Sequence, residues 1–195
     1  MVKASTSETN PDGGGSGIKH DCDCHLMCEK VELSHGNQDG VESLSVKCEF
    51  VVLASTVKEE VGKKINEFFP VAGKAAGKFL NLAVAAALIT KDQWRQAREQ
   101  SSDIEIDENQ LRGRQICAEV RMEKYVGKKV EYQGKSFANI GFRTYHPLDP
   151  KCTAWPKDQD AIQFVTYLVG DDGGSVPDKS EKHTTTSTPA ATGLW

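Results

Sequence analysis

Between Leu111 and Tyr145 the chain interleaves cations with aromatic rings. Arg112, Arg114, Arg121, Lys124, Lys128, Lys129, Lys135 and Arg143 accompany Tyr125, Tyr132, Phe137, Phe142 and Tyr145. From Arg112 to Arg143 there are eight Lys or Arg against three Glu, in a protein whose net charge is −4. Cationic side chains track phosphates, and rings stack on bases for about 1–3 kcal/mol per base. Together they suit an anionic, extended ligand, and single-stranded nucleic acid fits best. Lys47, Lys63, Lys64 and Phe68 can join the set from earlier segments. The plainer reading is that half of these rings are core and the lysines a solvated face, since Lys is a common surface residue.

Other chemistry is weaker. His20-x-Cys22-x-Cys24-His25-x-x-Cys28 invites a metal reading. Zinc sites, however, use a Cys-x2–4-Cys knuckle with a second compact pair, and Cys48, Cys117 and Cys152 are isolated. On a strand, Cys22, Cys24 and Cys28 face a core as small hydrophobes, so no metal is expected. Gly73-Lys74-Ala75-Ala76-Gly77-Lys78-Phe79 is one residue short of a phosphate loop and has Phe79 where Ser or Thr must hold magnesium. Asp103, Glu105, Asp107 and Glu108 lack the Gly and distal Glu of a calcium loop and read as a solvated connector. No Ser/His/Asp or Cys/His spacing argues for catalysis, so neither enzyme activity nor a cofactor is expected.

The elements that must position the basic hairpin follow from periodicity. Ile18, Cys22, Cys24, Leu26 and Cys28 share one face of a strand over Ile18–Leu33, with a bulge near Glu29 where the parity changes. Asn37-Gln38-Asp39-Gly40 turns the chain into a strand with Leu44, Val46, Cys48, Phe50 and Val52 inward. Gly62–Phe69 is a turn and a short strand ended by Pro70. Phe79, Leu82, Ala83, Ala86 and Ile89 predict a helix over Lys74–Ile89, and Thr90 with Gln93 has capping-box spacing for another to about Gln100. Ile116, Ala118, Val120 and Met122 alternate inward, leaving Cys117, Glu119 and Arg121 outward. Val126–Lys129 turns the chain into a strand or hairpin over Val130–Tyr145. The fold class is therefore α+β, mainly β. The order of elements is that of an OB-fold, a five-stranded barrel with a helix between strands 3 and 4, though other α+β arrangements share it.

Charge is uneven along the chain. Residues 57–98 carry eight basic and four acidic groups, residues 99–110 five acids and no base, and residues 111–151 nine bases against four acids. Two positive blocks flank a negative connector. Residues 1–17 and 171–195 are too polar to offset the entropy of ordering, so both are expected to be disordered tails around a domain of 18–150. Residues 151–170 read as an added helix or edge strand. No signal-peptide core is visible and the longest apolar run, Leu82–Ile89, is too short to cross a bilayer. A cytoplasmic protein with reduced cysteines is expected. The chain ends on Trp195 behind Asp171, Asp172, Asp178 and Glu181, a partial likeness to tails with which single-strand binders engage partner proteins. An ordinary disordered tail explains it as well. The sequence leaves homo-oligomer formation open.

The strand leading into Gly62-Lys63-Lys64-Ile65, the Phe79–Ile89 helix, and Leu111-Arg112-Gly113-Arg114 through Glu123-Lys124-Tyr125-Val126-Gly127-Lys128 to Asn139-Ile140 resemble a phage and prophage family catalogued as domain of unknown function 669. The likeness spans residues 18–145 and rests on the order of the motifs. It implies a phage-encoded, OB-like protein of replication or recombination that binds single-stranded DNA in the bacterial host cytoplasm. The Cys/His-rich first strand and the Cys152–Gly170 block depart from that pattern. An assembly module without nucleic-acid binding is the alternative.

Overall fold

Period-two burial builds the framework. The computed structural model describes residues 17–38, 41–127 and 130–162; both expected tails and Lys128–Lys129 fall outside them, except for Gly17. Strand β1 (Cys22–Gln38) pairs antiparallel with β2 (Val41–Ser55), from Cys24 opposite Ser55 to Gln38 opposite Val41. Cys22, Cys24, Leu26 and Cys28 are buried against Val46, Cys48, Phe50 and Val52. The register slips between Cys28 and Lys30, leaving Glu29 as the extra residue of a bulge and returning Val31 to the inner face. The strand starts at Cys22 rather than Ile18, and Ile18 packs into the core ahead of it.

Strand β3 (Lys64–Pro70) adds to β2, β4 (Gln115–Lys124) to β1, and β5 (Ser136–Tyr145) to β4. The result is one antiparallel sheet in the order β3-β2-β1-β4-β5. The five antiparallel strands and the helices after β3 are as expected, but no ladder joins β3 to β5, so the sheet does not close into the expected five-stranded barrel. Side chains span the two edges instead. Ile140 N–H donates to the Glu67 carboxylate at 2.7 Å, and Lys78 reaches both Glu67 (3.2 Å) and Asn139 (2.6 Å).

Helix α1 (Ala76–Ala85) carries that lysine and buries Phe79, Leu82 and Ala83. It ends four residues before the expected Ile89. Ala87 adopts φ 55°, and Leu88 N–H and Ala87 N–H return to the carbonyls of Ala83 and Val84, the pattern of a Schellman stop. Helix α2 (Lys91–Glu99) starts at the expected capping box: Gln93 N–H donates to the Thr90 hydroxyl, and Thr90 N–H to the Gln93 side chain.

A second layer covers the outer face of β1 and β4. It runs from His146 through a 3-10 turn at Pro150–Cys152 to a short helix α3 (Gln159–Ile162). Under it His25, Gln115 and Cys117 are buried, so Cys117, expected outward to solvent, is enclosed beside Cys152. His25 Nε2 lies 3.0 Å from Gln115 Oε1, Asp158 N–H donates to His25 Nδ1 (3.1 Å), and Gln115 donates to the Ala161 carbonyl. The described part of the added block is thus a cap rather than an edge strand; residues 163–170 lie outside the described set. All six cysteines are free, buried thiols. Among the described residues no helix is long and apolar enough to cross a membrane.

Candidate nucleic-acid interface

Four surface groups hold the residues singled out by sequence. The first is the outer face of β2 and β3. Cross-strand partners share a face, and here Lys47 stands opposite Phe68, which is 50% exposed. Lys47 also pairs with Glu32 at 3.2 Å. Lys64 is clasped by Glu29 (2.8 Å) and Glu49 (2.9 Å), which hold its ammonium above the ordinary lysine range. Lys63 points elsewhere, to the fully buried Glu60, which also receives His20 Nδ1 and Lys19 N–H. Burial opposes ionisation of Glu60, but these partners hold its carboxyl below the usual range. Lys63 is therefore a partner of the buried carboxylate that anchors the chain ahead of β1.

The second group is the tip of the β4–β5 hairpin. Tyr125, Tyr132 and Phe137 form a triangle of edge-to-face contacts, with centroids 5.4, 5.6 and 6.2 Å apart. Lys135 lies over Tyr132 at 5.8 Å. A Cβ at Gly127 would meet the hydroxyl end of the Tyr125 ring, which would have to shift to make room. A 3-10 turn at Val130–Tyr132 occupies the start of the expected Val130–Tyr145 strand. Lys124 is exposed beside the rings; Lys128 and Lys129 lie outside the described residues.

Arg112 and Arg114 form the third group, on either side of Gly113. Gly113 N–H donates to the Cys28 carbonyl, and Cys28 N–H to that of Arg114, so the turn is pinned to β1. Lys124 is the tenth and last residue of β4 beyond this turn, about 33 Å away along the extended chain. Only a ligand that runs along the strand can meet both. The fourth group is Arg121 and Arg143, both on Glu119; Arg121 also meets Asp21, and Arg143 lies over Trp155 at 5.7 Å.

The electrostatics separate these groups. Lys47, Lys63, Lys64, Arg121 and Arg143 each have a carboxylate partner, whereas Arg112, Arg114, Lys124 and Lys135 form no ion pair among the described residues. Exposed pairs are worth at most about 1 kcal/mol, so a phosphate can replace a carboxylate at small cost. The hairpin rings are less available, because they already pack on one another. Cys22, Cys24 and Cys28 sit in the core, and among the described residues no three metal-ligating side chains converge.

One constellation was not assigned from sequence. Lys74, Lys91, Trp94, Arg95 and Arg98 line a groove of about 650 Å³. Its signal was present in the positive block 57–98 and in the helical spacing of Lys91, Trp94 and Arg98.

No protein-family model matches the chain, and no match was found among curated proteins or solved structures. What fold and surface define is an α+β, mainly antiparallel protein that presents cations and aromatic rings on one open sheet.

Proposed function

We propose that the chain is a non-enzymatic single-stranded DNA-binding protein built on an open variant of the OB-fold. The observation that carries this reading is the exposed Phe68 ring directly opposite Lys47 on the β2–β3 face. OB-folds take oligonucleotides on the face of strands 2 and 3 and through the loop between strands 4 and 5. The Tyr125–Tyr132–Phe137 tip occupies that loop. The strand order supports the fold: joining β3 to β5 completes a five-stranded barrel, and Glu67 already bridges these two edges. The resemblance of the sequence to the phage family favours a role in replication or recombination, in the bacterial host cytoplasm.

Fluorescence anisotropy with labelled oligo-dT tests the reading. Binding that weakens as salt rises and drops in Phe68→Ala supports it; no binding at low salt removes it. The second reading, an assembly module, is favoured by the carboxylates that already neutralise Lys47, Lys64, Arg121 and Arg143. Light scattering on nucleic-acid-free protein, showing a defined assembly with no oligo-dT affinity, selects it.

A further inference from the structure

Helix α2 fully buries none of its side chains, and Trp94 and Ala97 are half-buried. A nine-residue helix held only by half-buried Trp94 and Ala97 is marginal in isolation, yet this one has a complete capping box and an Arg95–Asp92 pair at 2.6 Å. Lys91, Trp94, Arg95 and Arg98 recur at i, i+3, i+4 and i+7, the spacing that a helix normally gives to its core stripe. Here the stripe faces the 650 Å³ groove, with Lys74 from the 3-10 turn Gly73–Ala75 as another wall. Lys74, Lys91 and Arg98 form no ion pair among the described residues. The groove thus offers one half-buried indole and three cations that have no carboxylate partner among the described residues.

That combination matches a ring bearing a phosphate. The volume lies within the range of small-ligand pockets, about 300–1,000 Å³, and alkyl stems of Lys and Arg can line an apolar wall while their heads reach an anion. We propose that this groove binds one nucleotide unit, with Trp94 against the base and Lys74, Lys91 and Arg98 around its phosphate. The inference goes beyond the β2–β3 face, since a free nucleotide and a nucleotide within a strand present the same base and phosphate.

The test uses the full chain with Trp155→Phe and Trp195→Phe, which leaves Trp94 as the only tryptophan. Its emission is followed during titration with thymidine, thymidine monophosphate and a short oligo-dT, while labelled oligo-dT reports total strand binding by anisotropy. Quenching by the monophosphate but not by thymidine supports the proposal. So does a rise in Kd of about tenfold when Lys91→Ala and Arg98→Ala are combined, the scale expected for lost charge-assisted hydrogen bonds. Quenching by oligo-dT alone, sensitive to the same pair, assigns the nucleotide to a strand. Quenching by the monophosphate without strand binding keeps this inference and removes the single-strand reading. Silent Trp94 emission while labelled oligo-dT binds does the reverse, and silence with every probe, or quenching indifferent to Lys91 and Arg98, overturns the inference.

Discussion

The carboxylate of Glu67 on β3 accepts the backbone N–H of Ile140 on β5 at 2.7 Å, and Lys78 from α1 closes over the same carboxylate. Two sheet edges that share no ladder are bridged by this carboxylate and by Lys78, which also reaches Asn139 on β5. Removing the Glu67 carboxylate leaves a partly buried N–H without its acceptor and Lys78 with Asn139 alone. Glu67→Ala is expected to lower unfolding free energy by about 2 kcal/mol, and Glu67→Gln, which keeps an acceptor, by less. Urea denaturation of the two variants checks the order.

The cap over β1 and β4 should be sensitive to acid. Burial pushes the His25 imidazole below its ordinary value of 6.5, against the Gln115 hydrogen bond and the nearby Asp158 charge, with Lys157 adding to burial. The unfolded chain then binds the proton more readily than the folded one, so stability rises with pH through this window. The contribution is complete above pH 6.5 and is lost as pH falls below it towards the depressed folded value. Protonated Nδ1 can no longer accept Asp158 N–H. Thermal melts between pH 5 and 8 should show this slope in the parent and a flatter one in His25→Asn.

Arg112, Arg114 and Lys124 carry the positive charge with least internal competition. Replacing all three with Ala should reduce the slope of log K against log salt for oligo-dT by about 2, from roughly 0.7 per phosphate contact. Anisotropy at several salt concentrations measures this. An unchanged slope removes these residues from the interface.

Glu119 sets the opposite expectation. It neutralises Arg121 and Arg143 at once, so Glu119→Gln frees two guanidinium groups on the outer face. Strand affinity should rise several-fold at low salt, with a steeper salt dependence. Weaker binding, with the fold intact by circular dichroism, contradicts that assignment.

Legibility followed the range of the physics. The inward stripe of β2, the Glu29 bulge and the Thr90 capping box are set by near neighbours in the chain, and each stands where its spacing puts it. Contacts between distant segments were hidden. Cys117 alternates like an outward residue, but the cap that covers it comes from His146–Ile162. Glu60 reads as one of two adjacent surface acids, yet Lys19, His20 and Lys63 make it a buried hub. The site divides in the same way. Cations and rings were legible as a set, but their carboxylate partners lie on neighbouring strands, as Glu32 does for Lys47 and Glu49 for Lys64. Sequence order carries no signal of that neutralisation. The Trp94 stripe was legible in spacing, and only the groove beside it distinguishes presentation from packing.

The most direct test compares fluorescein-labelled oligo-dT with a duplex of equal length by anisotropy, in low salt and then across a salt series. The account predicts oligo-dT binding well above duplex binding, falling linearly in log K with log salt, and weakened by Phe68→Ala. Equal affinity for both forms, or no binding to oligo-dT at low salt, contradicts it.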